Sequence, residues 1–271
     1  LNNPAKKQAA AQFLRLIDIL AVLRGKNGCP WDQEQTAKSL IPYLLEETYE
    51  VIEAVEQNNH ELLKEELGDL MLHLLFQAHI ANEEGKFHIA DSITHICDKL
   101  ERRHPHVFGT DSTPDRAVIK LNWESIKQKE KQRTGLLEGV PKNLPALNRA
   151  RRIQEKASNV GFDWETIDPV WGKVDEEITE LKKAFQDGDD DQIQEELGDV
   201  LFSLVNLGRF LNISSEEALR FSISKFETRF TRVEQKLSKQ GKSIETATLE
   251  EMDAIWNDEK ERVKSEKKHR A

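Results

Sequence analysis

A chain of 271 residues has length enough for two domains that each bury a core. With 32% charged and 38% apolar residues it suits helices with wide solvated faces, and a formal net charge of −10 argues against non-specific binding to nucleic acid. Two cysteines, Cys29 and Cys97, form no disulfide framework and no ligand spacing, and read as reduced thiols of a cytoplasmic protein. The most apolar early stretch, FLRLIDILAVL (13–23), carries Arg15 and Asp18; it is amphipathic, so neither a signal peptide nor a membrane span is expected.

Apolar residues then recur at three- and four-residue steps nearly throughout, with no long alternation of the strand kind. LIPYLLEETYEVIEAV (40–55), with Pro42 at its start, and ELLKEELGDLMLHLLFQAHIANEEG (61–85) read as two helices joined by QNNH. ITHICDKLERR (93–103) and the Trp-bearing LNWESIKQKE (121–130) read as two more. GLLEGVPKNLP (135–145) has the Gly and Pro of a linker. Beyond it the plan repeats. IDPVWGKVDEEITELKKAF (167–185) is expected to start with Asp168 as N-cap and Pro169 at the first helical position. Its inward stripe is expected to be Val170, Val174, Ile178, Leu181 and Phe185. After the turn QDGDDD comes DQIQEELGDVLFSLVNLGRFL (191–211), with Ile193, Leu197, Val200, Leu201 and Leu204 inward, packed antiparallel on its predecessor. ALRFSISKFETRF (218–230) and the Trp-bearing DAIWNDEKER (253–262) close the half. The expected architecture is all-α: two homologous helical-bundle domains, 1–135 and 136–271.

The repeat is sharpest in its acids. EELGD occurs at 65–69 and 195–199, and EETYE at 46–50 matches EEITE at 176–180, all offset by 130 residues. Each half thus carries Glu-Glu-x-x-Glu followed by Glu-x-x-Asp. Residues three apart share a helix face, so Glu177 and Glu180 point together, as do Glu196 and Asp199. Antiparallel packing brings four carboxylates to the edge of a bundle core, and Glu47, Glu50, Glu66 and Asp69 repeat the set. Two like charges ~4 Å apart repel by about 4 kcal/mol at an effective dielectric of 20. A fold stable by only ~5–15 kcal/mol must relieve several such pairs by protonation or a bound cation. All-oxygen ligands favour Mg²⁺, Mn²⁺ or Ca²⁺. One such cluster in a chain this charged is ordinarily a solvated helix face; two with identical internal spacing favour a site. Di-iron bundles need Glu-x-x-His, but Asp69 and Asp199 stand where the His would be. An EF-hand over DGDDDQIQEELG fails because Gln192 and Gly198 occupy positions that need Gly and Glu.

These residues, with GCPWD (28–32), KLERRHPHVF (99–108) and NVGFDW (159–164), resemble the MazG nucleoside triphosphate pyrophosphohydrolases of the all-α NTP pyrophosphatase superfamily. The resemblance runs from near residue 12 to residue 262. It implies Mg²⁺-dependent hydrolysis of NTPs and dNTPs to the monophosphate and pyrophosphate by a homodimer of helical-bundle domains. It also implies that Glu177, Glu180, Glu196 and Asp199 are the Mg²⁺ ligands of the second domain, matched by Glu47, Glu50, Glu66 and Asp69 in the first. Mn²⁺ is expected to substitute.

A triphosphate also needs cations. Lys225 and Arg229 are four apart, as are Lys99 and Arg103; Trp256 and Lys260 are spaced alike, as are Trp123 and Lys127. Surface pairs with Trp as core account for such spacing equally well. The duplication and the resemblance favour Lys225, Arg229 and Trp256 as phosphate grip and base stacker, with Lys260 beside them. Lys173 lies one turn before Glu177; its counterpart is Tyr43, which favours the second domain as the stronger catalyst. Glu176, spare beside the ligands, is the candidate to orient or deprotonate the attacking water. His104 and His106 read as part of a basic loop, and His73 and His79 as residues in or beside the packed helix. Base selectivity is expected to be broad, since no base-reading motif is evident. The alternatives are a base-specific dUTPase- or dCTPase-like enzyme and a metal-stabilised helical interaction protein without turnover.

Overall fold

The computed structural model describes residues 3–109 and 135–268, with side chains described as far as residue 262. The chain divides into two compact units, residues 1–123 and 124–271. Every regular element among the described residues is helical.

The first unit holds α1 (Pro4–Arg24), α2 (Pro30–Glu34), α3 (Ile41–Glu56), α4 (His60–Glu83), α5 (Ile89–Arg103) and α6 (Pro105–Phe108). The α3–α4 hairpin is made by local chemistry. Asn58 takes the left-handed conformation (φ 52°), which Asn tolerates better than most residues. Asn59 then caps α4 by accepting a hydrogen bond from the Leu62 amide at 3.2 Å. Leu20 of α1 meets Leu75, Phe76 and Ile80 of α4 in the core, with Leu40 at the entry to α3. Arg24, at the end of α1, pairs with Glu83 at 2.6 Å and donates to the carbonyls of Asp32 and Gln35. It thereby ties the 28–35 stretch to the bundle.

The second unit holds α7 (Ala146–Ser158), α8 (Asp168–Asp187), α9 (Asp190–Phe210), α10 (Ser215–Lys239), a 3₁₀ turn (Ile244–Thr246) and α11 (Leu249–Lys268). Between α8 and α9, Gly188 ends one helix with φ 73°, and Asp189 caps the next by accepting from the Gln192 amide at 3.1 Å. The predicted antiparallel hairpin forms, with α7 across α9. Its core is Val170, Val174 and Leu207, flanked by Ile167, Ile178 and Phe210.

Three details differ from the sequence expectation. Ile167, not Asp168, is the N-cap of α8, so Asp168 and Pro169 are the first two helical residues. Phe185 is 74% exposed and Ala184 takes the buried place, because a 3.6-residue period run on from Val170 and Val174 reaches 177 and then 184. On α9 the buried face is Val200, Ser203, Asn206 and Leu207, while Leu197, Leu201 and Leu204 face outward. The helix is apolar on more than one side, so periodicity alone did not settle which side meets α8.

One carboxylate fastens α10 to α11. Glu259 is buried. It accepts from Lys236 at 3.0 Å, Arg232 at 3.2 Å and Arg262 at 3.1 Å. Lys236 first, and then Arg262, hold its carboxyl down at about 2 against its burial. A depressed folded-state pKa stabilises above the unfolded value and is lost as pH falls through the folded one. The melting-temperature difference between wild type and Glu259→Gln is therefore expected in full above about pH 4.5 and to shrink between there and about pH 2. Thermal melts of both proteins across that range measure it.

Candidate active site

Three of the four predicted carboxylates in each unit converge across the helix hairpin. In the second unit, Glu177 of α8 and Glu196 and Asp199 of α9 place oxygens within 4.8 Å of one another, and Glu176, Glu177 and Glu180 form an overlapping group. Glu177, only 6% exposed, is common to both. It sits at the packed edge of α8 because it lies three residues after buried Val174. Glu196 is held above the usual carboxylate range by burial first, then by the charges of Glu180, Asp199 and Glu177. In the first unit Glu47, Glu66 and Asp69 form the equivalent cluster. Glu47 is pushed up to about 7 by burial, then by Glu50 and Asp69. Glu66, 8% exposed, is raised by burial and then by Glu50. A set of carboxylates driven toward protonation by one another has the chemistry of a divalent-cation site, and its oxygens suit a hard ion.

The surroundings of the two clusters differ. Lys173 Nζ lies 2.6 Å from Glu177 and 2.7 Å from Glu176, and these bonds raise its own pKa further. Glu176 is thus half-exposed and tethered by one ion pair. At the corresponding place in the first unit Tyr43 stacks on His73, centroids 6.1 Å apart and planes 6° from parallel. His73 Nε2 is 3.7 Å from Glu47, and burial lowers the imidazole's pKa, so the histidine is a poor substitute for the lysine's charge.

A cavity of about 500 Å³ opens beside the second cluster. Lys173, Glu177 and Asp199 line it, with the aromatic rings of Phe162, Trp164 and Phe202. It has the size and the apolar walls of a small-molecule site. The loop carrying Phe162 and Trp164 is latched to α9 by a bidentate pair, Arg209 to Asp163 at 2.8 and 2.5 Å. A cavity of about 100 Å³ in the first unit, lined by residues such as Ile17 and His79, touches none of Glu47, Glu50, Glu66 or Asp69.

The predicted basic residues do not all gather here. Lys173 does. Lys225, Arg229, Trp256 and Lys260 line neither cavity and form a separate face on α10 and α11. There Arg229 lies over the Trp256 ring at 5.6 Å, Phe226 packs 5.1 Å from Trp256, and Lys225 and Lys260 are exposed. Lys99 and Arg103 fall on α5; Trp123 and Lys127 lie outside the described residues. His104 hydrogen-bonds the Leu100 carbonyl at 2.7 Å and leads into α6, and neither it nor His106 joins a carboxylate cluster among the described residues. His79 pairs with Glu83 at 3.3 Å. Sequence reasoning missed Gln154, Asn206 and the Asp163–Arg209 latch. A lone Asn within the apolar run of α9 was the available signal; Gln154, in the charged helix α7, gave none.

Carboxylates paired across an antiparallel helix hairpin, a lysine among them and a ligand-sized cavity alongside suit a divalent cation and an anionic small molecule. Comparison with known proteins agrees. The model of the MazG nucleotide pyrophosphohydrolase domain matches residues 35–108 and 170–233, once in each unit. The chain is 45% identical over 252 residues to the nucleoside triphosphate pyrophosphohydrolase/pyrophosphatase MazG of Thermotoga maritima, covering 92% of this chain and 96% of that one. It is 44% identical over 251 residues to the nucleoside triphosphate pyrophosphohydrolase of Escherichia coli K12, covering 90% and 95%. Over 253 residues it is 43% identical to the uncharacterized protein YabN of Bacillus subtilis, covering 92% of this chain and 52% of that one. The chain belongs to the MazG nucleotide pyrophosphohydrolase family.

Proposed function

We propose that this chain hydrolyses nucleoside triphosphates, NTPs and dNTPs of broad base range, between the α- and β-phosphorus, giving monophosphate and pyrophosphate. The observation that carries this is the junction of the Glu177–Glu196–Asp199 cluster and Lys173 with a cavity large enough for a nucleoside. Such a junction holds the triphosphate at the charged rim and the base and sugar among Phe162, Trp164 and Phe202. The donor set fits Mg²⁺, with Mn²⁺ as a substitute, and Glu177, Glu180, Glu196 and Asp199 would hold it. Glu47, Glu50, Glu66 and Asp69 form the lesser site. The ion, when bound, lowers the pKa of water and offsets charge on the leaving pyrophosphate.

The chain's own groups do the rest. Lys173 neutralises phosphate charge, exchanging its bonds to Glu176 and Glu177 for substrate oxygens. Glu176, released from that pair, orients or deprotonates the attacking water. The active protein is a cytoplasmic homodimer of two duplicated domains, 1–135 and 136–271. In support, Leu197, Leu201 and Leu204 on α9 and Phe221, Phe226 and Phe230 on α10 are solvent-facing in the single chain. An apolar surface of that extent marks an interaction site. A second copy is also the means by which Lys225, Arg229, Trp256 and Lys260 reach a triphosphate, as phosphate grip and base stacker.

Hydrolysis in ¹⁸O-water distinguishes the reactions. Attack at the α-phosphorus puts the label in the monophosphate and releases unlabelled pyrophosphate. Orthophosphate as the primary product overturns the reading. A panel of eight NTPs and dNTPs tests the base range, and one dominant substrate would point to a base-specific enzyme.

A further inference from the structure

We infer that Asp163 and Arg209 are positioning residues, whose ion pair holds the 159–164 loop where its aromatic rings form the base-binding wall of the second unit's cavity. The inference rests on the triphosphate reading above and adds to it the device that keeps the base site built. Asp163, Arg209, Phe162 and Trp164 all line that cavity.

Burial does little to hold this loop, because Val160, Phe162 and Trp164 are all exposed. Gly161 takes the left-handed conformation (φ 84°), and the amides of Gly161 and Phe162 bond back to the Ser158 and Ala157 carbonyls at 3.0 and 3.1 Å. These bonds shape the exit from α7 and reach no other helix. Asp163 makes the crossing. Its carboxylate accepts from Arg209 Nη1 at 2.8 Å and Nη2 at 2.5 Å, and its Oδ1 also accepts from the Trp164 amide at 3.0 Å. One carboxylate thus joins α9 to the backbone of the tryptophan.

Arg209 is itself set in advance. Its Nε and Nη2 donate to Asn206 Oδ1 at 2.9 and 2.8 Å, and its guanidinium lies 4.7 Å from the centroid of the Phe210 ring. Asn206 is buried, so the fork that meets the loop is fixed to the packed side of α9. A guanidinium and a carboxylate joined by two bonds give direction as well as attraction. The two side chains are only 15% and 23% exposed, which limits screening by solvent and salt. Among the described residues Asp163 belongs to no carboxylate cluster, so its effect on the reaction passes through the rings. In the repeat, the place 130 residues before Arg209 is taken by His79, which pairs with Glu83 of its own helix at 3.3 Å. The latch accompanies the carboxylate cluster that has a cavity beside it.

Freeing the loop takes the rings from the base and leaves the phosphate end intact, so the loss falls on KM. In Asp163→Asn the KM for ATP is expected to rise about 10-fold, within the range that one base–aromatic stack commands, with kcat within about 2-fold. A double-mutant cycle separates positioning from a general effect on the fold. In a protein already lacking both rings, Phe162→Ala with Trp164→Ala, adding Asp163→Asn is expected to change KM by less than about 2-fold. A KM within about 2-fold of wild type in folded Asp163→Asn overturns the inference, as does a loss confined to kcat or a rise in KM of equal size with and without the rings. Arg209→Lys keeps the charge and loses the fork, so its KM is expected to rise about 3-fold. It carries the same cycle should Asp163→Asn not fold. Pyrophosphate release by the wild type distinguishes the two readings. Its absence defeats the reaction and the inference with it, whereas normal release with a KM insensitive to the pair defeats the latch alone.

Discussion

Replacing Asp199 by Asn is expected to lower pyrophosphate release by at least ~10–100-fold, the range that even indirect supports of a metal ligand command. Asp69→Asn is expected to cost far less. The two aspartates hold equivalent places in the repeat, and each lies within 4.8 Å of two glutamate ligands. Their neighbourhoods set them apart. Asp199 lines the cavity of about 500 Å³ together with Lys173. Asp69 lines neither that cavity nor the one of about 100 Å³ in the first unit, and in place of a lysine its cluster has Tyr43 stacked on His73. A site without a phosphate-binding cation or a nucleoside pocket can hold an ion without turning over substrate. Steady-state kinetics on both variants, with oligomeric state matched, decide the point. Removing a carboxylate also relieves repulsion, since Asp69 helps raise Glu47 and Asp199 helps raise Glu196. Either variant is therefore expected to melt above wild type when metal-free. Equal kinetic losses would mean two working sites, and a larger loss from Asp69→Asn would invert the assignment.

Chelation should abolish activity and lower stability together. With EDTA, Glu47, Glu66 and Glu196 keep raised pKa values because like charges crowd them in buried surroundings. Adding Mg²⁺ or Mn²⁺ binds the native state selectively. At about 100 times the dissociation constant this is worth ~2.7 kcal/mol, or roughly 5–10 °C for a unit of this size. Calorimetric melts in EDTA and in a Mg²⁺ series measure it, and the same series restores pyrophosphate release. Asp199→Asn should lose most of the second unit's share of that shift. Full activity in exhaustively chelated buffer would eliminate the mechanism.

The sequence alone determined the described helices, the hairpins and the spacing that brings three carboxylates together across each hairpin. Each depends on spacing within one or two helices. Residues three apart share a face whatever lies around them, and Gly188, Asn58 and the capping residues Asn59 and Asp189 dictate turns locally. The fall of Glu177 on the packed face beside Val174 follows from the same period. Tertiary structure decided what depends on more than two elements. α9 is apolar on several sides, and packing against α7 and α8 buried Ser203 and Asn206 while leaving Leu197 and Leu201 in solvent. The cavity draws on α7, the 159–164 loop, α8 and α9 at once, and no periodicity in one segment encodes such a junction. The basic residues show the division best. Lys173 joined the carboxylates because it shares their helix, one turn away. Lys225, Arg229 and Trp256 came together on another face because where α10 and α11 lie is set by Glu259 and its three cations, contacts up to 27 residues apart in the chain.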